Sequence, residues 1–173
     1  MNFHSRAPSP PAAELTPAAW LERALRLLDQ RAHAEGELAR KLRQRGCPPP
    51  ALAWVIAELR RLRLLDDAAF ARTLAGEKTH WGQSRVVREL RRRGVAPDVA
   101  VAAAPDPSSD PDARAAELAR AYDVARRKWA SLTREPDRFK ARNKLFRFLA
   151  ARGFAADCIR GTLARLESGS RDS

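Results

Sequence analysis

The stretch Val86-Val87-Arg88-Glu89-Leu90-Arg91-Arg92-Arg93-Gly94-Val95 decides the fold. Val86 and Leu90 stand four apart, so they share one face of a helix. Gly94 then ends the helix, because a residue without a Cβ enters the left-handed region at no steric cost. Val95 supplies the apolar contact that commonly accompanies such a stop. The same phrase occurs twice more, around Gly46 and around Gly153. Four residues before these glycines stand Leu42 and Leu149, and eight before stand Leu38 and Leu145. Cys47 and Phe154 follow directly, and Leu52, Ala100 and Ile159 lie six residues beyond the three glycines. Each unit therefore reads helix, glycine stop, apolar contact, helix, and the chain is an internal repeat used three times.

Working outward, helix signals fill most of the chain. Thr16-Pro17 offers an N-cap and a first-position proline, followed by an apolar stripe of Trp20, Leu21, Ala24, Leu25, Leu27 and Leu28. A second helix is expected from about Ala34 to Arg45. A third opens at Pro48-Pro49-Pro50 and carries Leu52, Val55, Ile56, Leu59 and Leu62 inside. Asp66 or Asp67 caps a fourth, which should bury Phe70 and Leu74. No alternation of apolar and polar residues runs long enough for a strand. The expected fold is all-α: tandem three-helix repeats, three units, in an elongated, curved array. The expected units are 17–65, 66–104 and 112–167. A Pro/Ala-rich leader of residues 1–16 precedes them, a Pro-rich linker at 105–111 separates the last two, and a flexible tail at 168–173 closes the chain.

The chain has 173 residues and a formal net charge of +12, which attracts polyanions. Nucleic acid leads that list, ahead of an acidic protein surface and an anionic membrane. The basic residues follow the repeat. Arg40, Arg88 and Arg147 stand six before each glycine, and Arg45, Arg93 and Arg152 stand one before. Cations in a last helical turn favour the macrodipole, which accounts for the second set. The first set lies deeper in each helix and is the better candidate for a binding stripe. With its neighbours it gives the candidate site: Arg40, Lys41, Arg43, Arg85, Arg88, Arg91, Arg92, Lys144 and Arg147.

Catalytic constellations are absent from the sequence. His4, His33 and His80 are scattered, and no phosphate loop, dinucleotide fingerprint or nucleophile elbow occurs. Asp66-Asp67 would suit Mg²⁺ only if both carboxylates converged, and neighbours entering a helix point apart, so a helix cap is the better reading. His33 reads as a surface or capping residue. Cys47 and Cys158 are too far apart for a zinc pair and sit in apolar contexts, as buried thiols would. Trp20, Trp54 and Trp129 fall on helical stripes and are expected in cores. Trp81 precedes Gly82 in a loop and is the tryptophan best placed to stack on a base. No apolar run is long enough for a signal peptide or a spanning helix. Neither an enzyme nor a cofactor is expected, and a cytoplasmic monomer is.

Four segments resemble the RecX family. They are Leu28–Leu38 with Lys41-Leu42, Leu65-Asp66-Asp67-Ala68-Ala69-Phe70-Ala71, Gly82–Leu90 closing at Gly94-Val95, and Ala125–Trp129 with Lys144–Phe154. The order and spacing carry the resemblance, which spans about Pro17 to Leu166. One departure is Ala34, where the family signature usually has Ser or Thr as an N-cap; losing that cap typically costs about 1 kcal/mol. The resemblance implies a regulatory protein that binds the RecA recombinase filament on single-stranded DNA. It implies inhibition of recombination and of ATP-driven filament activity in DNA repair, within the SOS response and homologous recombination. Duplex DNA would be bound weakly if at all. The alternative from the residues is a sequence-specific, helix-turn-helix-like DNA-binding protein.

Overall fold

The computed structural model describes residues 15–132 and 135–169, and every regular element among them is an α-helix. These are α1 (Pro17–Gln30), α2 (Glu35–Gln44), α3 (Pro49–Arg61), α4 (Asp67–Glu77), α5 (Gln83–Arg92), α6 (Pro97–Ala103), α7 (Pro111–Leu132), α8 (Arg138–Ala150) and α9 (Ala156–Gly169). The chain divides into two compact units, with the boundary between Phe70 and Ala71.

The three glycines do what the repeat requires. Gly46, Gly94 and Gly153 have φ of 86°, 88° and 84°. The amide of Cys47 donates to Leu42 O, that of Val95 to Leu90 O and that of Phe154 to Leu149 O. Meanwhile Gly46, Gly94 and Gly153 donate to the carbonyls of Arg43, Arg91 and Ala150. This paired pattern is the Schellman stop. The leucine that accepts the long bond is in each case a fully buried core residue: Leu42, Leu90 and Leu149. One residue type at one position thus ends a helix and anchors a core.

α3 ends the same way without a glycine. Arg63 donates to Arg60 O, Leu64 donates to Leu59 O, and Arg63 takes φ 55°. A non-glycine residue there costs about 1–2 kcal/mol, partly offset by its smaller loss of chain entropy. Arg63→Gly is expected to stabilise the first unit by about 0.5 kcal/mol, read as a higher urea midpoint with unchanged slope. An unchanged or lower midpoint would mean that the arginine side chain makes up the strain.

In the first unit α1, α2 and α3 pack on one another. Trp20, Ala24, Leu27, Leu38, Leu42, Leu52, Val55 and Leu59 form the core, and Leu15, from the end of the expected leader, packs against it. Leu25, Trp54 and Leu62, expected inside, are exposed. Leu62 is the C-cap of α3, past the last full turn, and the inner face of α3 is already taken by Leu52, Val55, Ile56 and Leu59. His33, expected at the surface, is buried: its Nδ1 meets Arg31 O at 2.9 Å and its Nε2 meets Lys41 Nζ at 2.9 Å. Two polar partners make that burial affordable for a histidine.

Ala34 does leave α2 without a side-chain cap of its own. The missing acceptor comes from 32 residues away: Asp67 Oδ1 takes the Glu35 amide at 2.8 Å. Asp66, its neighbour, caps its own helix by accepting from Ala69 N at 2.8 Å. The two carboxylates serve different helices.

In the second unit α7, α8 and α9 pack together around Ala121, Ala125, Leu145, Leu149, Phe154, Ile159 and Leu163. Trp129 is a half-buried edge of this core. The middle repeat is thinner. α5 packs on α6, and its buried side chains are the small or medium Ala71, Leu74, Val86, Leu90, Val95 and Ala100. Phe70, expected to be buried with Leu74, is only half-buried.

That thin core is compensated by a close backbone junction. Gly82 N donates to Arg152 O at 2.8 Å, and Ser84 Oγ donates to Gly153 O at 2.8 Å. The N-terminus of α5 therefore meets the C-terminal stop of α8, where opposite helix-dipole ends attract. A Cβ on Gly82 would fall closer than 3.0 Å to the backbone of Gly153 and Phe154.

The connection between α6 and α7 is non-helical, as its prolines require, and is turned by Asp106, which accepts from Ser108 N at 2.9 Å. Pro111, expected within that linker, instead opens α7, whose first turn is capped by Asp110. Ser168 and Gly169, expected in the tail, are the last residues of α9, whereas residues 1–14 of the expected leader and 170–173 of the tail lie outside the described residues.

Candidate functional site

The nine candidate cations divide into two groups. Arg40 and Arg43 on α2, Arg88 and Arg91 on α5, and Arg147 on α8 are exposed, and none has an ion-pair partner among the described residues. The i, i+3 spacing sets Arg40 beside Arg43 and Arg88 beside Arg91, on the side of each helix away from its buried leucine. Like charges so spaced cost a helix a few tenths of a kcal/mol. An anionic partner would turn that cost into attraction.

The other four are engaged within the chain. Lys41 reaches His33 and, at 3.8 Å, Glu37. Glu37 is buried and also pairs with Arg31. Arg85 lies with its guanidinium carbon 4.4 Å from the Trp81 ring centroid and donates to Ala151 O at 3.2 Å. Lys144 pairs with Glu135.

Arg92 makes a two-pronged contact with Glu89, at 2.8 and 2.7 Å. Glu89 also accepts from Arg93 at 2.8 Å. The hydrogen bond from Arg92, opposed by partial burial and reinforced by Arg93, holds the Glu89 carboxyl down at about 2. These four cations position structure first.

Of the arginines one before each glycine, Arg152 bonds a carbonyl of its last helical turn and Arg93 a carboxylate of its own helix. Arg93 is tied to Glu89. Arg152 lies 3.6 Å over the Phe148 ring centroid and donates to Phe148 O at 3.3 Å. Arg45 is exposed.

Two features escaped the sequence. The first is Asp67 as a long-range cap, since nothing local links it to Glu35. Burial pushes its carboxyl above the ordinary aspartate range. The second is Glu117 on α7, which is 1% exposed, with no well-formed hydrogen bond to either carboxyl oxygen, although the backbone amides of Gln83 and Ala155 face it. Burial raises its pKa, and the amides of Gln83 and Ala155 and the charge of Arg120 pull it back only in part. Its placement in an Ala-rich face of α7, with Ala121 and Ala125 below it, is the one signal the sequence held.

Below the unfolded glutamate pKa both states hold the Glu117 proton and burial costs nothing extra. As pH rises past it, the unfolded chain releases the proton while the folded chain keeps it, so stability falls until the raised folded value is passed. Glu117→Gln should abolish that fall and raise the melting temperature at pH 7 by roughly 2–5 °C, with little difference near pH 4. A variant less stable at every pH would show that the carboxylate makes bonds worth more than its burial costs.

Cys158 lies nearby, pushed up to about 11 by burial first and then by the charges of Glu117 and Asp157. Cys47 is raised by burial as well. Both thiols are free and buried, as expected. No group of three or more His, Cys, Asp or Glu that could hold a metal occurs among the described residues, and no described helix is long and apolar enough to cross a membrane.

Comparison with known proteins places this geometry. Residues 21–59 match the model of the RecX first three-helix domain, residues 66–103 the second, and residues 115–163 the third. The chain is 36% identical over 143 residues to "Regulatory protein RecX" of Halorhodospira halophila, covering 82% of this chain and 84% of that one. It is 36% identical over 143 residues to the protein of the same name from Chromobacterium violaceum, covering 82% and 87%. The crystal structure of RecX from Lactobacillus salivarius superimposes with a TM-score of 0.74 at 18% identity, over 87% of this chain and 96% of that one, a likeness of fold. Three three-helix domains in the right order, on relatives matched over most of their length, establish that this chain belongs to the RecX family.

Proposed function

We propose that this chain is a non-enzymatic regulator that docks on the RecA filament formed on single-stranded DNA and inhibits its recombinase and ATPase activity. The observation that carries the reading is the set Arg40, Arg43, Arg88, Arg91 and Arg147. They occupy matching places before the helix stops and are left without internal counter-charges. A nucleoprotein filament offers phosphates and carboxylates, and arginine makes planar two-pronged contacts with both. On this reading the chain works as a cytoplasmic monomer, with weak affinity for free duplex. Asp66 and Asp67, the pair that would tempt a nuclease reading, are each engaged at a different helix N-terminus, which supports a non-enzymatic role.

A sequence-specific duplex reader is less well supported. The helices that follow the glycines, α3, α6 and α9, begin with Pro49-Pro50, Pro97-Asp98 and Ala156-Asp157, which offer base edges little to bond with. Co-sedimentation separates the two. RecA filaments on an oligonucleotide of thymidines should carry this chain into the pellet, and the bound fraction should fall steeply with added salt. Retention in the supernatant, together with a footprint at one duplex sequence, would favour the reader instead.

A further inference from the structure

We propose that the cavity beside Trp81 in the second unit is a pocket for one unstacked nucleobase of single-stranded DNA, a proposal that rests on the filament-docking reading above. The cavity holds about 330 Å³, room for a base with part of its sugar. Trp81 forms one wall, Val86 and Ala116 give apolar lining, Gln83 brings a side-chain amide oxygen while its nitrogen donates to Ala104 O at 3.1 Å, and Lys78 and Arg120 bring positive charge.

Trp81 is held in place before any ligand arrives. Its amide donates to Lys78 O at 2.9 Å, and the next residue, Gly82, is tied to Arg152 O. Its ring is flanked by His80 edge-on at 5.8 Å, by Lys78 Nζ at 5.7 Å and by the Arg85 guanidinium at 4.4 Å. A half-buried indole with cations around it combines the two elements that single-strand binders use, an aromatic stacking surface and a positive surround for the backbone. The core of the middle repeat does not draw on Trp81. Its buried side chains are aliphatic. The carboxylates Asp110 and Asp112 also border the cavity, which disfavours a bare phosphate there. Asp112, and the Asp110 oxygen not taken up in capping α7, suit a base whose exocyclic amino group can donate, such as cytosine.

The probe is an oligonucleotide of deoxycytidines with one 5-iodocytosine, added to the full chain without RecA and irradiated. The cross-linked peptide should contain Trp81. In fluorescence anisotropy, Trp81→Ala should weaken binding of the same oligonucleotide about tenfold and Trp81→Phe by much less. Cross-links that map only elsewhere would overturn the pocket. So would a Trp81→Ala protein with wild-type melting and wild-type binding. If Trp81→Ala does not fold, the cross-link on the unaltered chain decides. RecA inhibition without a Trp81 cross-link would sink the pocket and leave the docking reading intact. A Trp81 cross-link without any effect on RecA would do the reverse.

Discussion

Gly82→Ala is expected to destabilise the second unit by about 3 kcal/mol or more, enough to lower its melting temperature by roughly 12–24 °C. The new methyl would point into the backbone of Gly153 and Phe154. Backbone atoms in a helix stop cannot rotate away as a side chain would, so the two segments must separate. Separation breaks the Gly82–Arg152 and Ser84–Gly153 bonds together. It also frees α5, which has only a thin core of its own. Gly153→Ala should behave alike: φ is +84°, and the added methyl would sit 2.6 Å from the Arg85 amide nitrogen. Gly76→Ala is the contrast. Its site near the end of α4 is open, with nothing within 4 Å, so the better helix former should stabilise by about 0.5–1 kcal/mol. Hydrogen exchange locates the effect. The Gly82, Val86 and Leu90 amides should lose protection in Gly82→Ala, and those of Leu38 and Leu42 should keep it. Uniform loss across both units would refute a local junction.

The second large effect concerns the exposed arginines. Changing Arg40, Arg43, Arg88, Arg91 and Arg147 together to Ala should reduce filament affinity by at least 100-fold near physiological salt. It should also flatten the dependence of log affinity on log salt by about 0.7 per lost phosphate contact. Far-ultraviolet circular dichroism should stay unchanged, because none of the five supports another described residue through an ion pair and Ala is the better helix former. The matched control changes Lys41, Arg85, Arg92 and Lys144. Those substitutions remove one partner each from His33, Trp81, Glu89 and Glu135, so they should lower stability before they lower binding. If the control quartet abolished binding at full stability while the quintet bound normally, the assignment of roles would be inverted.

The backbone plan was legible because it is written in local grammar. A glycine at C′, a leucine four before it and an apolar residue after it specify a helix stop through bonds that span six residues, and all three glycines take the conformation the pattern requires. The helix starts at Thr16-Pro17 and Pro48-Pro49 were readable for the same reason. What the sequence hid depends on distance in the chain. Asp67 capping α2 across 32 residues, Gly82 against the stop of α8, and the burial of Glu117 each need the tertiary fold before they have meaning. Trp54 shows the complementary failure. It lies on a stripe that continues past the width of the buried face, and periodicity alone does not say where that face ends. The candidate site was half legible: position in the repeat found the five exposed arginines, but whether a cation is free or already paired depends on carboxylates such as Glu89 and Glu135, whose reach only packing sets.

The most direct measurement is the rate of ATP hydrolysis by RecA on single-stranded DNA, titrated with this chain at low and at physiological salt. The wild-type chain should slow hydrolysis at substoichiometric amounts, with the half-inhibiting concentration rising several-fold at the higher salt, and the arginine quintet should fail at both. Hydrolysis unaffected by the wild-type chain at either salt, or inhibited equally by the quintet, would contradict regulation through these exposed arginines.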